Sequence, residues 1–149
     1  MNEINELLTQ LKFSGMNNSV EYRITEAIES NLSHQDFLLF LLEDENLYRR
    51  NRKCEMLRKR ARFNSKCYLE DFNIDPKRGI TKSKVQQLKN LSFIDNSENL
   101  LFIGGTGAGK SFLAQAIGHA ACAANVETFF ISANRLFKGI ASAAVHEVL

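Results

Sequence analysis

Apolar residues fall into different patterns along the chain, and each pattern predicts its own kind of element. Ile4, Leu7, Leu8 and Leu11 recur at helical spacing and predict a helix over 2–13. "SGMNNS" at 14–19 then reads as a turn, with Gly15 suited to a helix C-terminus. Val20, Ile24, Ala27 and Ile28 line one side of a second helix over 19–30, which "SNLS" breaks. The third start is the best marked. Ser33 is a good N-cap, and Asp36 stands at the third helical position, close to a capping box. The helix it opens is expected to run to about Ala61. Its first half, around "FLLFLL" at 37–42, is apolar nearly all round and predicts burial in a small bundle. Its second half, "YRRNRKCEMLRKRARF", is polar enough to be largely solvated.

Residues 67–98 read as a connector, with a turn at "DPKRG" (75–79), a short helix over Ser83–Leu91 and a polar loop "DNSEN" at 95–99. From Leu100 the pattern changes. Leu100–Ile103 is a short apolar run, the signature of a buried parallel strand. Lys110–Ala124 carries Phe112, Leu113, Ala116, Ile117, Ala120 and Ala121 on one helical face, and Asn125 ends it. "VETFFIS" at 126–132 reads as a second strand, and a last helix is expected from Ser132 or Asn134. This order predicts the opening of an α/β nucleotide-binding domain built on a parallel sheet.

The stretch between that first strand and its helix carries the chemistry. Gly104, Gly105, Thr106, Gly107, Ala108, Gly109, Lys110 and Ser111 match the G-x-x-x-x-G-K-[ST] phosphate loop at every fixed position. Backbone N–H groups converge on a phosphate only where little side-chain bulk intervenes, hence the glycines. A helix opening at about Gly109 aims its free N–H groups and positive dipole end at the anion. Lys110 supplies a mobile ammonium for the β- and γ-phosphates, and the Ser111 hydroxyl is a hard ligand for Mg²⁺. A chance match in a chain this size occurs roughly once in 200. Hydrolysis asks for more, namely an acid ending a second apolar strand. The acids after Ser111 are Glu127 and Glu147, and neither ends an apolar run.

Charge adds a second feature. The net charge is only +2, but its distribution is uneven. Residues 31–48 hold four acids and no Lys or Arg, whereas 49–66 hold nine Lys/Arg against Glu55 alone. Arg49, Arg50, Arg52, Lys53, Arg58, Lys59, Arg60, Arg62 and Lys66 cover most of the helix circumference, and Lys77, Arg78, Lys82, Lys84 and Lys89 follow. The alternatives are a solvated helix end and a DNA contact; beside a nucleotide-binding core the second is favoured. Cys54, Cys67 and Cys122 match neither a zinc spacing nor a disulfide framework, which suits a reduced cytoplasmic setting. No apolar run is long enough to cross a bilayer. His34, His119 and His146 have no partners at metal-ligand spacing. Phe37, Phe40, Phe129 and Phe130 read as core. Tyr68 and Phe72 read first as residues that pack the connector, with flanking an adenine ring as the alternative.

"LLFIGGTGAGKSFLAQAIGHAACAANVETFFISANRLF" resembles the core of the IstB-like ATP-binding proteins, helpers of bacterial insertion sequences related to the DnaC-type helicase loaders within the AAA+ ATPases. "LKFSGM", "SHQDFLLFLLEDE", "RKRARF" and "YLEDFN" upstream are similar to that family too, and the likeness reaches about Lys138. The resemblance implies an N-terminal helical DNA- or partner-binding region (1–66), a linker (67–98) and an AAA+ P-loop core (99–149). It implies a cytoplasmic helper ATPase that binds ATP and Mg²⁺, self-associates on DNA when full length, engages a transposase and promotes transposition. A DnaC-like helicase loader and a nucleotide-inactive DNA-binding remnant are the alternatives. The family's acids, sensor, arginine finger and helical lid are expected beyond "GIASAAVHEVL", which implies a truncated or frameshifted copy unable to hydrolyse ATP alone.

Overall fold

A computed structural model of the chain describes residues 2–74 and 79–146. The turn expected at 75–79 lies outside the described residues except for Gly79, as do Lys77, Arg78 and Glu147. The described elements are α1 (Asn2–Gln10), α2 (Ser14–Glu29), α3 (His34–Ala61), a 3-10 turn (Leu69–Asp71), α4 (Lys82–Lys89), α5 (Ser92–Asp95), α6 (Lys110–Ala123) and α7 (Ala133–His146).

The expected α/β class is overturned: among the described residues there is no strand and no sheet. A strand exists only through a ladder with a neighbour, and the two apolar segments do not pair. The N–H of Val126 goes to the Ala121 carbonyl and that of Phe130 to the Ala61 carbonyl, so the second segment is tied to helix ends. Leu101 and Ile103 stand 82% and 86% exposed, where a buried parallel strand would be covered on both faces. Phe129, expected in the core, is exposed as well.

The chain divides into two compact units, Met1–Lys53 and Cys54–Leu149. In the first, α2 begins at Ser14 rather than 19, so "SGMNNS" is helix and not turn. The break falls before it, where Lys12 takes a φ of 60°. Gly15 is buried inside the first turn of α2 because α3 passes too close for a side chain. A Cβ there would lie 2.7 Å from the Glu45 Cα and 2.8 Å from the Asp44 carbonyl oxygen. Phe13, the N-cap residue, offers no side-chain acceptor, and Glu45 of α3 takes that role. Its carboxylate accepts the N–H groups of Gly15 (2.6 Å) and Met16 (3.1 Å), and Arg49 donates to its other oxygen. Met16, Val20 and Leu41 form the small core, with Leu8, Phe13, Ile24 and Phe37 against it. The expected all-round burial of early α3 does not occur, since α1 and α2 cover one side only and Leu38, Leu39 and Leu42 stay exposed. The Ser33 cap forms as expected, its hydroxyl receiving the Asp36 N–H at 3.1 Å.

Burial works to raise the Glu45 pKa, but the Arg49 hydrogen bond and the two backbone N–H groups outweigh it and hold it below the ordinary 4.5. A lowered carboxylate pKa stabilises the fold fully above the unfolded value, and that stability is lost as pH falls through the folded one. Acid titration of urea unfolding should therefore show the first unit weakening below about pH 4.5. Glu45→Gln should flatten part of that slope, leaving the share of Asp44, whose pKa its Arg23 hydrogen bond lowers in the same direction. An unchanged slope in the variant would remove Glu45 from the account.

In the second unit α6 is central. Leu113, Ala116, Ile117 and Ala121 pack with Leu69 and Phe72 around the 3-10 turn, with Val85 and Leu88 of α4 and with Leu91. On its other side Cys122 meets Leu57 and Ala61, with Phe63 packed against them. Gln115 and His119 are also buried. The Gln115 amide oxygen accepts the N–H groups of Asn64 (2.9 Å) and Ser65 (3.2 Å), and the His119 Nε2 bonds the Ser65 carbonyl (3.1 Å). Two residues one helical turn apart thus fix the segment that follows α3.

Candidate nucleotide-binding site

α6 begins at Lys110, directly after the glycine-rich loop. Gly109 is its N-cap at a φ of 87°, and Gly107 takes 78°, a region that costs an L-residue but not glycine. The Lys110 ammonium turns back over the loop and donates to the carbonyls of Gly104 (2.8 Å) and Gly105 (2.6 Å). Gly104, Gly105, Thr106, Gly107 and Ser111 are exposed, and Ala108, Gly109 and Lys110 are half-buried. Loop amides, a cation and a helix N-terminus therefore gather in one accessible place, which is what an anion needs.

The loop borders a pocket of about 570 Å³, ordinary for a small-molecule site. Its far wall is apolar, made by Phe72, Ile80, Leu88, Leu100 and Leu113. Lys84 adds a second cation at the edge. Phe72 is buried, with its ring 6.0 Å from Phe112, so it both packs the connector and lines the pocket. Tyr68 faces a different hollow. Ile80, Lys84 and Leu88 were not legible as site residues, because only the fold of the connector brings them to the loop. Among the described residues no three His, Cys, Asp or Glu side chains form a metal cluster. A divalent ion here would rest on the Ser111 hydroxyl and on oxygens brought by a ligand.

The basic residues divide by role. Arg49 is tied to Glu45, Arg58 is half-buried beside Tyr68 with Glu55 at 3.8 Å, and Arg62 lies over the Phe129 ring. Arg50, Arg52 and Lys53 of the first unit are exposed and make no ion pair among the described residues; the same holds for Lys59, Arg60 and Lys66 of the second. Among the described residues no helix is long and apolar enough to cross a membrane.

Sequence comparison gives the family to which a chain with this loop, helix and pocket belongs. Residues 6–147 match the family described as IstB-like ATP binding protein, and the chain belongs to it. A protein of insertion sequence IS21 from Pseudomonas aeruginosa, named for ATP binding, is 33% identical over 136 residues, which is 91% of this chain and 51% of that protein. Another from insertion sequence IS5376 of Geobacillus stearothermophilus is 35% identical over 106 residues, 71% of this chain and 42% of its own length. A third, from insertion sequence IS1162 of Pseudomonas fluorescens, is 34% identical over 133 residues, 88% and 57% of the two lengths. The chain thus spans about half the length of these relatives.

Proposed function

We propose that the chain binds ATP and Mg²⁺ at the 104–111 loop and serves insertion-sequence transposition beside a transposase and DNA. The observation that carries the reading is the Lys110 ammonium held over the loop at the first residue of α6, beside an apolar pocket of adenine-accepting size. On this reading the amides of Gly104–Gly109 cradle the phosphates. Lys110 exchanges its two carbonyl contacts for phosphate oxygens, and Phe72, Ile80 and Leu88 enclose the base. Mg²⁺, when bound, neutralises phosphate charge, with the Ser111 hydroxyl as its protein ligand. DNA contact is assigned to Lys59, Arg60, Arg62 and Lys66, in the same unit as the loop.

The metal half of the reading has its own test. Ser111→Ala should leave metal-free ATP affinity unchanged while abolishing most of the gain that Mg²⁺ gives the wild type, read by calorimetric titration with and without the ion. An equal Mg²⁺ gain in the variant would exclude Ser111 as the ligand.

A further inference from the structure

The pocket beside the glycine-rich loop holds a cation that the phosphate-loop motif does not account for. Lys84 lines it from α4, in the same unit as Lys110. Its side chain is exposed and makes no ion pair among the described residues. The helix beneath it fixes its place. The Thr81 hydroxyl caps α4 by accepting the Lys84 N–H at 3.2 Å. Val85 and Leu88 are buried in the core that α6 also builds, so α4 cannot turn about its axis without uncovering them. Lys84 and Leu88 are one turn apart on one face of α4, and both line the pocket. Lys82 and Lys89 are not part of its lining. They border a smaller hollow on another side of the helix, and Lys89 is bonded there to Glu70. Two cations thus bound one pocket from two elements, Lys110 at the first residue of α6 and Lys84 at the third of α4.

We propose that Lys84 holds the α-phosphate of the bound nucleotide, the phosphate nearest the base. This assignment rests on nucleotide binding at the 104–111 loop and extends it to a residue outside the motif. With Ile80 and Leu88 against the base, a lysine one turn before Leu88 meets the phosphate that follows the ribose. Lys110, at the loop, meets the β- and γ-phosphates. An ammonium is a compact point charge with three donors on a flexible stem, so it can follow one phosphate group as the nucleotide seats. The division has a consequence for the ligand. Loss of the γ-phosphate leaves the Lys84 contact whole, so this lysine serves diphosphate and triphosphate alike.

The test is isothermal titration of ATP and of ADP, each with Mg²⁺, into the full chain and its variants. Lys84→Met should weaken both nucleotides by the same factor, about tenfold, because each loses one charged hydrogen bond. Lys84→Arg keeps a charged donor and should retain most of the affinity for both. Lys82→Met, outside the pocket, should bind both as wild type does. Weaker ATP with unchanged ADP in Lys84→Met would put the contact on the γ-phosphate and overturn the proposal. So would wild-type affinity in Lys84→Met, or a loss in Lys84→Arg as large as in Lys84→Met. An equal loss in Lys82→Met overturns it too, since only the total charge would then matter. Lys110→Ala separates the two readings: if it weakens ATP and Lys84→Met does not, the loop site stands without this contact. No binding by wild type overturns both.

Discussion

Gly15→Ala should strip the first unit of most of its stability. The added Cβ would meet the Glu45 Cα and the Tyr48 Cβ, both at 2.7 Å, and the Asp44 carbonyl oxygen at 2.8 Å. Two of these three atoms are backbone and cannot rotate away, so α2 and α3 must part. Overpacking of a tight site costs about 1–3 kcal/mol, and here the separation also stretches the Glu45 contacts to the Gly15 and Met16 amides. We expect a loss of about 2–4 kcal/mol. At roughly 0.05–0.15 kcal/mol per residue, a unit of this length holds only about 3–8 kcal/mol. Hydrogen exchange of the α2 amides reads the effect without depending on the second unit. Protection equal to that of wild type would mean that the two helices tolerate the methyl group and that the approach is not what holds them.

That glycine also marks where the sequence stops being readable. Within a local window, Gly15 in "SGMNNS" has the look of a helix end, and the reason for it lies thirty residues away on α3. The same holds for Glu45, Gln115 and His119, polar residues whose partners are backbone groups of distant segments. Where spacing and caps are local the helices were legible: the Ser33 cap with Asp36 forms, and the helix expected over Lys110–Ala124 runs Lys110–Ala123, whereas α2 starts earlier than expected and α5 was not expected. The two apolar runs at 100–103 and 126–132 misled for a related reason. Composition can make a segment fit for a strand, but only a partner makes it one, and here the second run spends its hydrogen bonds on helix ends. The glycine-rich loop was visible as eight consecutive residues, and the helix after it begins where the pattern put it. Its pocket was not, because Phe72, Ile80 and Leu88 reach it only through the fold of the connector.

Lys110→Ala should cost one to two orders of magnitude in ATP affinity, since a charged hydrogen bond is worth about 1.5–3 kcal/mol. The loss would belong to binding and not to folding. Among the described residues the ammonium's hydrogen bonds go to the carbonyls of Gly104 and Gly105, both exposed, and to no core residue. The variant should therefore unfold at the wild-type temperature. Isothermal titration of ATP with Mg²⁺ into wild type and Lys110→Ala, each with its melting curve, is the most direct measurement. Saturable binding by wild type, weakened tenfold or more in an equally stable variant, is the predicted result. Equal affinity in the two proteins, or no binding by wild type, would contradict a nucleotide site at this loop.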